Sequence, residues 1–313
     1  MQQKIEIIMK LTFLGTSAGK PTDERNVSGI MLDVRQERGR LWLFDCGEAT
    51  QMQMQKAKFS LSKLEMIFIT HLHGDHLFGL PGILTTRSLI QNQSELTLVG
   101  PKGIKQFIQT VIDISYSCLT YPLNIIELEQ DGLVFEDTKF QVETKLLAHR
   151  VPCFGYRVIE KDLPPTLNIK KLHKDNINTG SHYAYLKEGK TVTLADGRVI
   201  DGLNYHGDFK QGKKLAILGD TIPCDASIEL AKDVDVLVHE ATQEDALEQK
   251  AIERGHSTTV HAAMIAKQAN AKRLIMTHIS PRYSLNDNAK LVNEAKGIFS
   301  HTEIATDFAT FQV

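Results

Sequence analysis

The residues from His71 to His76 are the part of this sequence best suited to chemistry, because four of their six side chains are of types that bind metal ions. Imidazole and carboxylate ligands without thiolate favour zinc, with manganese or iron as alternatives. If the strand before it continues into this segment, His71 and His73 point to the same side, because side chains alternate along a strand. Asp75 and His76 begin the next turn and face a second position in space. The spacing therefore predicts two metal ions rather than one.

Three more residues of ligand type, His149, Asp220 and His278, each follow a predicted strand. A carboxylate such as Asp220 can bridge two cations, and their combined charge lowers the pKa of a shared water. The predicted reaction is hydrolysis. Taken singly, each residue has an ordinary explanation: a hydrogen-bonded histidine at a strand end, or an aspartate that forms a turn before Pro223.

Short apolar strands alternate with amphipathic helices along most of the chain. The strand candidates are Lys10–Gly15, Gly29–Val34, Arg40–Asp45, Met66–Thr70, Glu95–Val99, Lys139–Leu147, Leu215–Gly219, Asp235–Val238 and Arg273–Thr277. The helix candidates are Glu48–Lys58, Leu77–Ile90, Lys102–Ile112, Ala226–Lys232, Gln243–Arg254, Ser257–Ala269 and Asn286–Ile298. Each half is strand-rich first and helix-rich later, which favours two sheets packed face to face with helices outside.

Composition excludes some classes of function. The chain has 313 residues, 24% of them charged, and a net charge of -2, so nothing global indicates a nucleic-acid or membrane partner. No stretch is long enough to span a bilayer, and the apolar run Ile5–Leu14 is interpreted as a first strand rather than a signal peptide. Four scattered cysteines without Cys-x-x-Cys spacing favour a reducing, cytoplasmic setting.

The segment from Lys161 to Lys190 differs from the rest of the chain. Six lysines against three acidic residues give it a local charge of +3, and Pro164 and Pro165 interrupt any periodic pattern. The ordinary interpretation is a solvated insertion. The alternative is a protruding, flexible basic arm that binds a polyanion, with Lys170, Lys171 and Lys174 among its contacts.

Five further motifs accompany the ligands in sequence order: Phe13–Gly19, Phe44–Thr50, His239–Thr242, Gly255–Thr259 and Thr277–Tyr283. With the cluster at 71–76 they resemble the ribonuclease Z family of the metallo-β-lactamase superfamily, from about Lys10 to Val313. The resemblance implies an α/β fold, a four-layer αββα sandwich, in a single domain of residues 1–313 with the basic arm inserted at 161–190. It also implies a zinc-dependent endoribonuclease that removes the 3′ trailer from precursor tRNA and leaves a 3′-hydroxyl.

The same resemblance implies roles for the ligands. His71, His73 and His149 would hold one Zn²⁺, and Asp75, His76 and His278 the other, with Asp220 between them. Hydroxide bridging the two ions would attack the phosphorus, and Asp75 would orient it or receive its proton. Manganese or another divalent ion is an alternative.

Outside the metal ligands, the resemblance implies that His256 protonates the leaving 3′ oxygen or stabilises the transition state, and that Glu240 positions it. Asp45 is interpreted as the carboxylate that supports the histidine loop. Ser257 is predicted to cap a helix, which would leave free backbone N–H groups near His256 for phosphate. In the loop Pro21–Asn26, which the family uses at the 3′ end of the substrate, Arg25 and Asn26 are expected to bind RNA.

The remaining histidines, His173, His182, His206, His261 and His301, are not expected to bind metal, and His239 is interpreted as structural. Family members are typically homodimers, so a homodimer with two ions per subunit is expected. Two other functions stay open: a hydrolase of the same fold acting on a small phosphodiester, sulfate ester or thioester, and a catalytically idle RNA-binding protein.

Overall fold

The structure is a computed structural model that describes residues 9–90, 94–162, 165–207 and 211–313. The start of the predicted run Ile5–Leu14 and residues Leu163 and Pro164 of the predicted arm lie outside the described residues. Among the described residues, no helix has the length and apolar character needed to cross a membrane.

The elements follow one another as alternating short strands and helices. The strands are β1 (Lys10–Gly15), β2 (Gly29–Val34), β3 (Arg40–Phe44), β4 (Leu64–Phe68), β5 (Leu96–Pro101), β6 (Leu123–Leu128), β7 (Gly132–Glu136), β8 (Phe140–Leu147), β9 (Cys153–Glu160), β10 (Thr191–Thr193), β11 (Val199–Asp201), β12 (Lys214–Ile217), β13 (Val236–Glu240), β14 (Leu274–Thr277), β15 (Thr302–Ile304) and β16 (Thr310–Gln312). The helices are α1 (Arg35–Arg38), α2 (Thr50–Lys56), α3 (Gly74–Leu77), α4 (Leu80–Leu89), α5 (Ile104–Ile114), α6 (Ile169–Lys174), α7 (His182–Lys187), α8 (Asp225–Leu230), α9 (Glu248–Glu253), α10 (Thr259–Gln268) and α11 (Asn288–Lys296).

Two seven-stranded sheets carry the chemistry at the ends of their parallel strands. The first has the order β16-β1-β2-β3-β4-β5-β6, and the second the order β15-β14-β13-β12-β9-β8-β7. Strands β3 to β6 are parallel, and so are β12 to β15. Asp45, His71, Asp220, Glu240 and His278 lie at or just after the carboxyl ends of such strands, so these side chains share one edge of the two sheets.

The two sheets pack face to face through aromatic side chains. The ring of Tyr156 on β9 lies 5.9 Å from that of Phe44 and 5.2 Å from that of Phe68 in the first sheet, and its hydroxyl donates to the carbonyl of Ile69 at 2.6 Å. The outer faces bury apolar side chains against helices: α2, α4 and α5 cover the first sheet, and α8, α10 and α11 cover the second. The αββα sandwich predicted from the sequence is therefore confirmed.

A second compact unit consists of Glu136–Gln141 and Ile159–Lys213. It contains α6, α7 and the β10–β11 hairpin around a small core of Leu172, Ile177, Leu186, Ile200 and Tyr205. The predicted arm at 161–190 falls within this unit, which extends to Lys213 and has a core of its own. Its elements are only three to six residues long, too short for hydrophobic periodicity to indicate them.

Candidate active site

The seven predicted ligands lie together in two adjacent groups. The first is His71, His73, His149 and Asp220, and the second is Asp75, His76 and His278; within each group the facing nitrogen and oxygen atoms all lie within 4.8 Å of one another. These side chains come from four separate loops that follow β4, β8, β12 and β14. Residues separated by up to 207 positions in sequence therefore face the same small volume.

In the first group, Nε2 of His71 lies 3.0 Å from Nδ1 of His73, and Nε2 of His149 lies 3.5 Å from that same Nδ1. Oδ2 of Asp220 is 3.5 Å from Nε2 of His71. Burial lowers the pKa of His71 well below its ordinary value, so this imidazole stays neutral and able to bind a cation.

In the second group, Nε2 of His76 and Nε2 of His278 are 3.2 Å apart, and Oδ2 of Asp75 lies 3.4 Å from each. The other oxygen of Asp220, Oδ1, is 3.6 Å from His76 and 3.4 Å from His278. Burial raises the pKa of Asp220, but the neighbouring histidines outweigh it and hold the pKa well below its usual range. The two oxygens of one ionised carboxylate thus face different groups, as a bridging ligand requires.

On His76 and His149, the hydrogen bond of the ring nitrogen that faces away from the metal groups shows which nitrogen is left to bind a metal ion. Nδ1 of His76 lies 2.7 Å from Oδ2 of Asp45, and Nδ1 of His149 lies 2.7 Å from the carbonyl of Gly255. Because these oxygens only accept, each Nδ1 carries a proton, and in the neutral ring Nε2 presents a lone pair. Burial lowers the pKa of His76, but Asp220 and Asp45 outweigh it and raise the pKa well above its ordinary value, so a cation bound here displaces a proton from the ring. Ligands at about 2.0–2.1 Å around a tetrahedral ion lie roughly 3.4 Å from one another, close to the separations observed here. The donor set fits a pair of divalent metal ions.

Two buried carboxylates each support two histidines, one directly and one through a threonine. Asp45 accepts from Nδ1 of His76 and, at 3.0 Å, from the hydroxyl of Thr70, whose oxygen lies 3.0 Å from Nδ1 of His71. Since the hydroxyl proton goes to the carboxylate, the threonine oxygen accepts the proton of His71. The supporting role predicted for Asp45 is confirmed.

Glu240 repeats this arrangement on the second sheet. Its Oε2 accepts from the hydroxyl of Thr242 at 2.6 Å, and Thr242 Oγ1 lies 3.0 Å from Nδ1 of His278. Its Oε1 lies 3.0 Å from Nδ1 of His256. The sequence placed Thr70 beside His71 and Thr242 at the end of a family motif, but neither had been assigned a role, because the contacts that define it are formed only in the folded chain.

We expect Thr242→Val to weaken metal binding roughly 10- to 100-fold, because His278 then loses the acceptor that fixes its tautomer while the shape of the side chain is preserved. Thr242→Ser keeps the hydroxyl and should bind metal nearly as the unaltered protein does. Competition with a chromophoric chelator measures the affinities. Equal affinities for the valine and serine variants would contradict this role for the hydroxyl.

His256 lies beside both metal groups, and Glu240 lies behind it. Burial lowers the pKa of His256, but the charge of Glu240 and its hydrogen bond outweigh burial and raise the pKa to about 9. His256, Asp220 and His278 are also close enough to form a third ligand group. Since Nδ1 of His256 already donates to Glu240 and lies 3.9 Å from Asp220, the proton-donor role fits the geometry better.

The predicted helix cap at Ser257 is wrong. Thr258 is the N-cap of α10: its hydroxyl accepts from the backbone N–H of His261 at 3.2 Å, and the side chain of His261 accepts from the backbone N–H of Thr258. The backbone N–H of Thr259 donates to the carbonyl of Gln243. Because these N–H groups already have acceptors, they do not form the free helix terminus that was expected to attract phosphate beside His256.

Arg25 does not lie where an RNA contact is needed. Its side chain is only 2% exposed, and its guanidinium donates to Thr16, to the carbonyl of Ala305 and to Asn288. The backbone N–H of the half-buried Asn26 donates to Asp307 and its side-chain amide to the carbonyl of Glu48. Both residues brace the loop from inside, so the prediction that they bind RNA is wrong for Arg25 and unsupported for Asn26.

The three arm lysines lie on α6 and are not equivalent. Lys170 and Lys174 are exposed one turn apart, without an acidic partner among the described residues. Lys171 donates to the carbonyl of Asn204 and lies 5.2 Å above the ring of Tyr205. Lys170 and Lys174 are thus the better placed of the three to bind an anion.

The other histidines of the described part of the chain lie outside the two metal groups. None of His173, His182, His206, His261 and His301 belongs to a group of metal-ligand side chains. His239 is fully buried and donates through Nδ1 to the carbonyl of Glu240, in keeping with a structural role.

Comparison with known proteins agrees with this site. Residues 9–112 match the family described as Anti-Pycsar protein Apyc1, and residues 187–279 match the Beta-lactamase superfamily domain. The chain is 52% identical to Ribonuclease BN of Proteus mirabilis and 51% identical to Ribonuclease Z of Bacillus mycoides, over 97% of its own length and 100% and 99% of theirs.

Among solved structures, the short form of human tRNase Z superposes with a TM-score of 0.69 at 32% identity, covering 97% of this chain and 98% of the human chain. Each of these relatives matches the chain nearly from end to end. The chain belongs to the ribonuclease Z family of the metallo-β-lactamase superfamily.

Proposed function

We propose that this chain is a cytoplasmic, homodimeric endoribonuclease that removes the 3′ trailer from precursor tRNA with two zinc ions per subunit. The observation that carries the proposal is the position of His256, held by Glu240 next to a two-metal ligand cluster. A phosphodiester gains negative charge when it is attacked, and its alkoxide leaving group needs a proton. Family membership supports tRNA as the substrate.

When bound, the two ions supply positive charge and lower the pKa of a water shared between them. Asp75 is placed to orient that water, because the backbone N–H of Gly19 donates to its Oδ2 at 2.7 Å and fixes the carboxylate. Burial raises the pKa of Asp75, but hydrogen bonds from His278 and His76 hold it well below its usual range. The ionised carboxylate can therefore orient the water or receive its proton.

His256 supplies the proton for the leaving 3′ oxygen. With Nδ1 donating to Glu240, Nε2 is the nitrogen available to the substrate, and the raised pKa keeps the ring protonated at neutral pH. As the bond from phosphorus to the 3′ oxygen breaks, the proton passes from Nε2 to that oxygen. The tRNA is left with a 3′-hydroxyl, and the phosphate stays on the trailer.

The proposal is tested by incubating the zinc-loaded protein with a transcribed precursor tRNA and mapping the product ends. We expect a single cut after the acceptor stem at low enzyme concentration, with a 3′-hydroxyl on the tRNA. Rapid turnover of a small phosphodiester, sulfate ester or thioester together with an intact precursor would instead support another hydrolase of the same fold. Binding of the precursor without any cleavage would indicate an RNA-binding protein.

We also infer that the inserted unit binds the substrate through its exposed lysines. The double variant Lys170→Gln, Lys174→Gln should bind precursor tRNA more weakly, and the dependence of log Kd on log salt should fall in slope by about one per lysine. Lys171→Gln is the matched control and should have a smaller effect, because that ammonium is already engaged by Asn204 and Tyr205. An unchanged salt slope in the double variant would remove these lysines from the RNA contact.

A further inference from the structure

Three cations share the clefts lined by His256: Arg150, Lys250 and Arg254. Arg150 and Arg254 are exposed and Lys250 is half-buried. Among the residues that the structure describes, none of the three forms a salt bridge, although surface cations elsewhere do so repeatedly. Like charges placed together without salt-bridge partners favour an anionic ligand.

Close packing of two loops fixes two of these cations side by side. The loop between β8 and β9 carries His149 and Arg150, and the turn after α9 carries Arg254 and Gly255. Nδ1 of His149 donates to the carbonyl of Gly255 at 2.7 Å. A Cβ atom at position 255 would lie 2.9 Å from Cγ of Arg150 and 2.9 Å from Nδ1 of His149, and the glycine has φ +81°. Only glycine permits this approach, which sets Arg150 beside Arg254.

The cations line two clefts that meet over the metal ligands. One cleft, of about 220 Å³, is lined by Asp75, Asp220 and His278 together with Lys250. The other, of about 630 Å³, is lined by His149 and Arg150 and contains none of the second metal group. His73, Arg254 and His256 line both clefts. An extended strand whose scissile phosphate lies over the metals can therefore continue past His256 into the cleft of Arg150 and Arg254.

The direction of the strand follows from the proton donor. In an in-line displacement the attacking and leaving oxygens are on opposite sides of phosphorus. His256 gives its proton to the leaving 3′ oxygen, so the nucleotide that carries this oxygen lies on the His256 side. That nucleotide is the last one of the mature tRNA, and its own 5′ phosphate lies one step further along, toward Arg150 and Arg254.

We propose that Arg150 and Arg254 bind the phosphate immediately 5′ of the scissile one and so hold the leaving nucleotide against His256. Planar guanidinium groups suit this task because each can donate two parallel hydrogen bonds to phosphate oxygens. The inference rests on the proposed function, since it assigns a subsite for the same RNA. Lys250 lies in the metal cleft and contacts the scissile phosphate or its 3′ neighbour instead.

The test combines a substrate change with a protein change. A precursor tRNA is prepared with a neutral methylphosphonate in place of the phosphate 5′ of the scissile one, and single-turnover cleavage is compared with the unmodified precursor. The unaltered enzyme should lose roughly 10- to 100-fold in kcat/KM. In the double variant Arg150→Gln, Arg254→Gln, kcat/KM for the normal precursor should fall by a similar factor. Replacing the normal precursor by the modified one should then lower kcat/KM almost no further.

Lys267→Gln, which removes an exposed charge from α10 away from both clefts, is the control and should retain the full penalty for the methylphosphonate. Circular dichroism checks that the arginine variant is folded. An equal methylphosphonate penalty in the unaltered enzyme and the double variant would overturn the assignment of this phosphate while leaving the proposed function intact. Failure of the unaltered enzyme to cut the normal precursor would overturn both.

Discussion

Asp220→Asn lowers cleavage of precursor tRNA by at least about a thousandfold, and the metal content falls below two ions per chain. The substitution preserves the shape of the side chain but removes the charge that both ligand groups share. Metal ions contribute several kcal/mol of transition-state stabilisation, and each 1.36 kcal/mol corresponds to a factor of ten in rate. Elemental analysis at fixed free zinc and single-turnover cleavage measure the two effects together.

Asp225→Asn is the matched control, because this exposed aspartate at the start of α8 carries the same charge but lines neither of the two clefts at the metal ligands. It should keep both ions and full activity. A preparation of Asp220→Asn with two tightly bound ions and normal cleavage would exclude Asp220 as the bridging ligand.

His256→Ala lowers cleavage of precursor tRNA by about 10²- to 10⁴-fold, the usual contribution of a positioned general acid. The loss should be much smaller with bis(4-nitrophenyl) phosphate, because 4-nitrophenolate leaves without needing a proton. Metal content should stay at two ions per chain, since Nδ1 of His256 is committed to Glu240. An equal loss of cleavage rate for the two substrates, or the loss of a metal ion, would indicate that His256 is a metal ligand.

Glu240→Gln tests the assignment of His256 as the proton donor through the pH dependence of activity. The protonated form of His256 is the active one, so activity is present below its pKa and is lost as pH rises through it. Glu240 raises that pKa to about 9, and removing its charge should lower the pKa. The alkaline limb of the pH profile of zinc-saturated enzyme should therefore move to lower pH. An alkaline limb that does not move would separate Glu240 from the proton donor.

Much of the site was accessible from the sequence because its residues are chemically distinctive and lie at strand ends. The cluster at 71–76 predicted two metals, and the later ligands His149, Asp220 and His278 fell into the two expected groups. Type and spacing could not reveal Arg25 as a buried brace, since its three partners come from positions as far away as Ala305. The family resemblance of this loop suggested an RNA contact where folding produced an internal one.

Most of the missed elements were short, at a sheet edge or weakly periodic, but β9 (Cys153–Glu160), a central strand of eight largely buried residues, was missed as well. Strands β15 and β16 have three residues each, and β6 and β7 leave much of their length exposed, so no clear alternation marks them. The cap of α10 shifted from Ser257 to Thr258 because the side chain of His261 completes the cap, a partnership that residue preferences do not encode. Arg150 and Arg254 were missed for a similar reason: only the fold places them side by side.

Among its described residues, the inserted unit has a separate core of five buried side chains, around which its two short helices and hairpin are arranged. Such a small nucleus provides little cooperative stability, so this unit can open while the sandwich stays closed. Its backbone amides should exchange with deuterium well before those of β13 and β14. Heat or dilute denaturant should then weaken binding of the RNA under conditions in which the metal site still hydrolyses a phosphodiester.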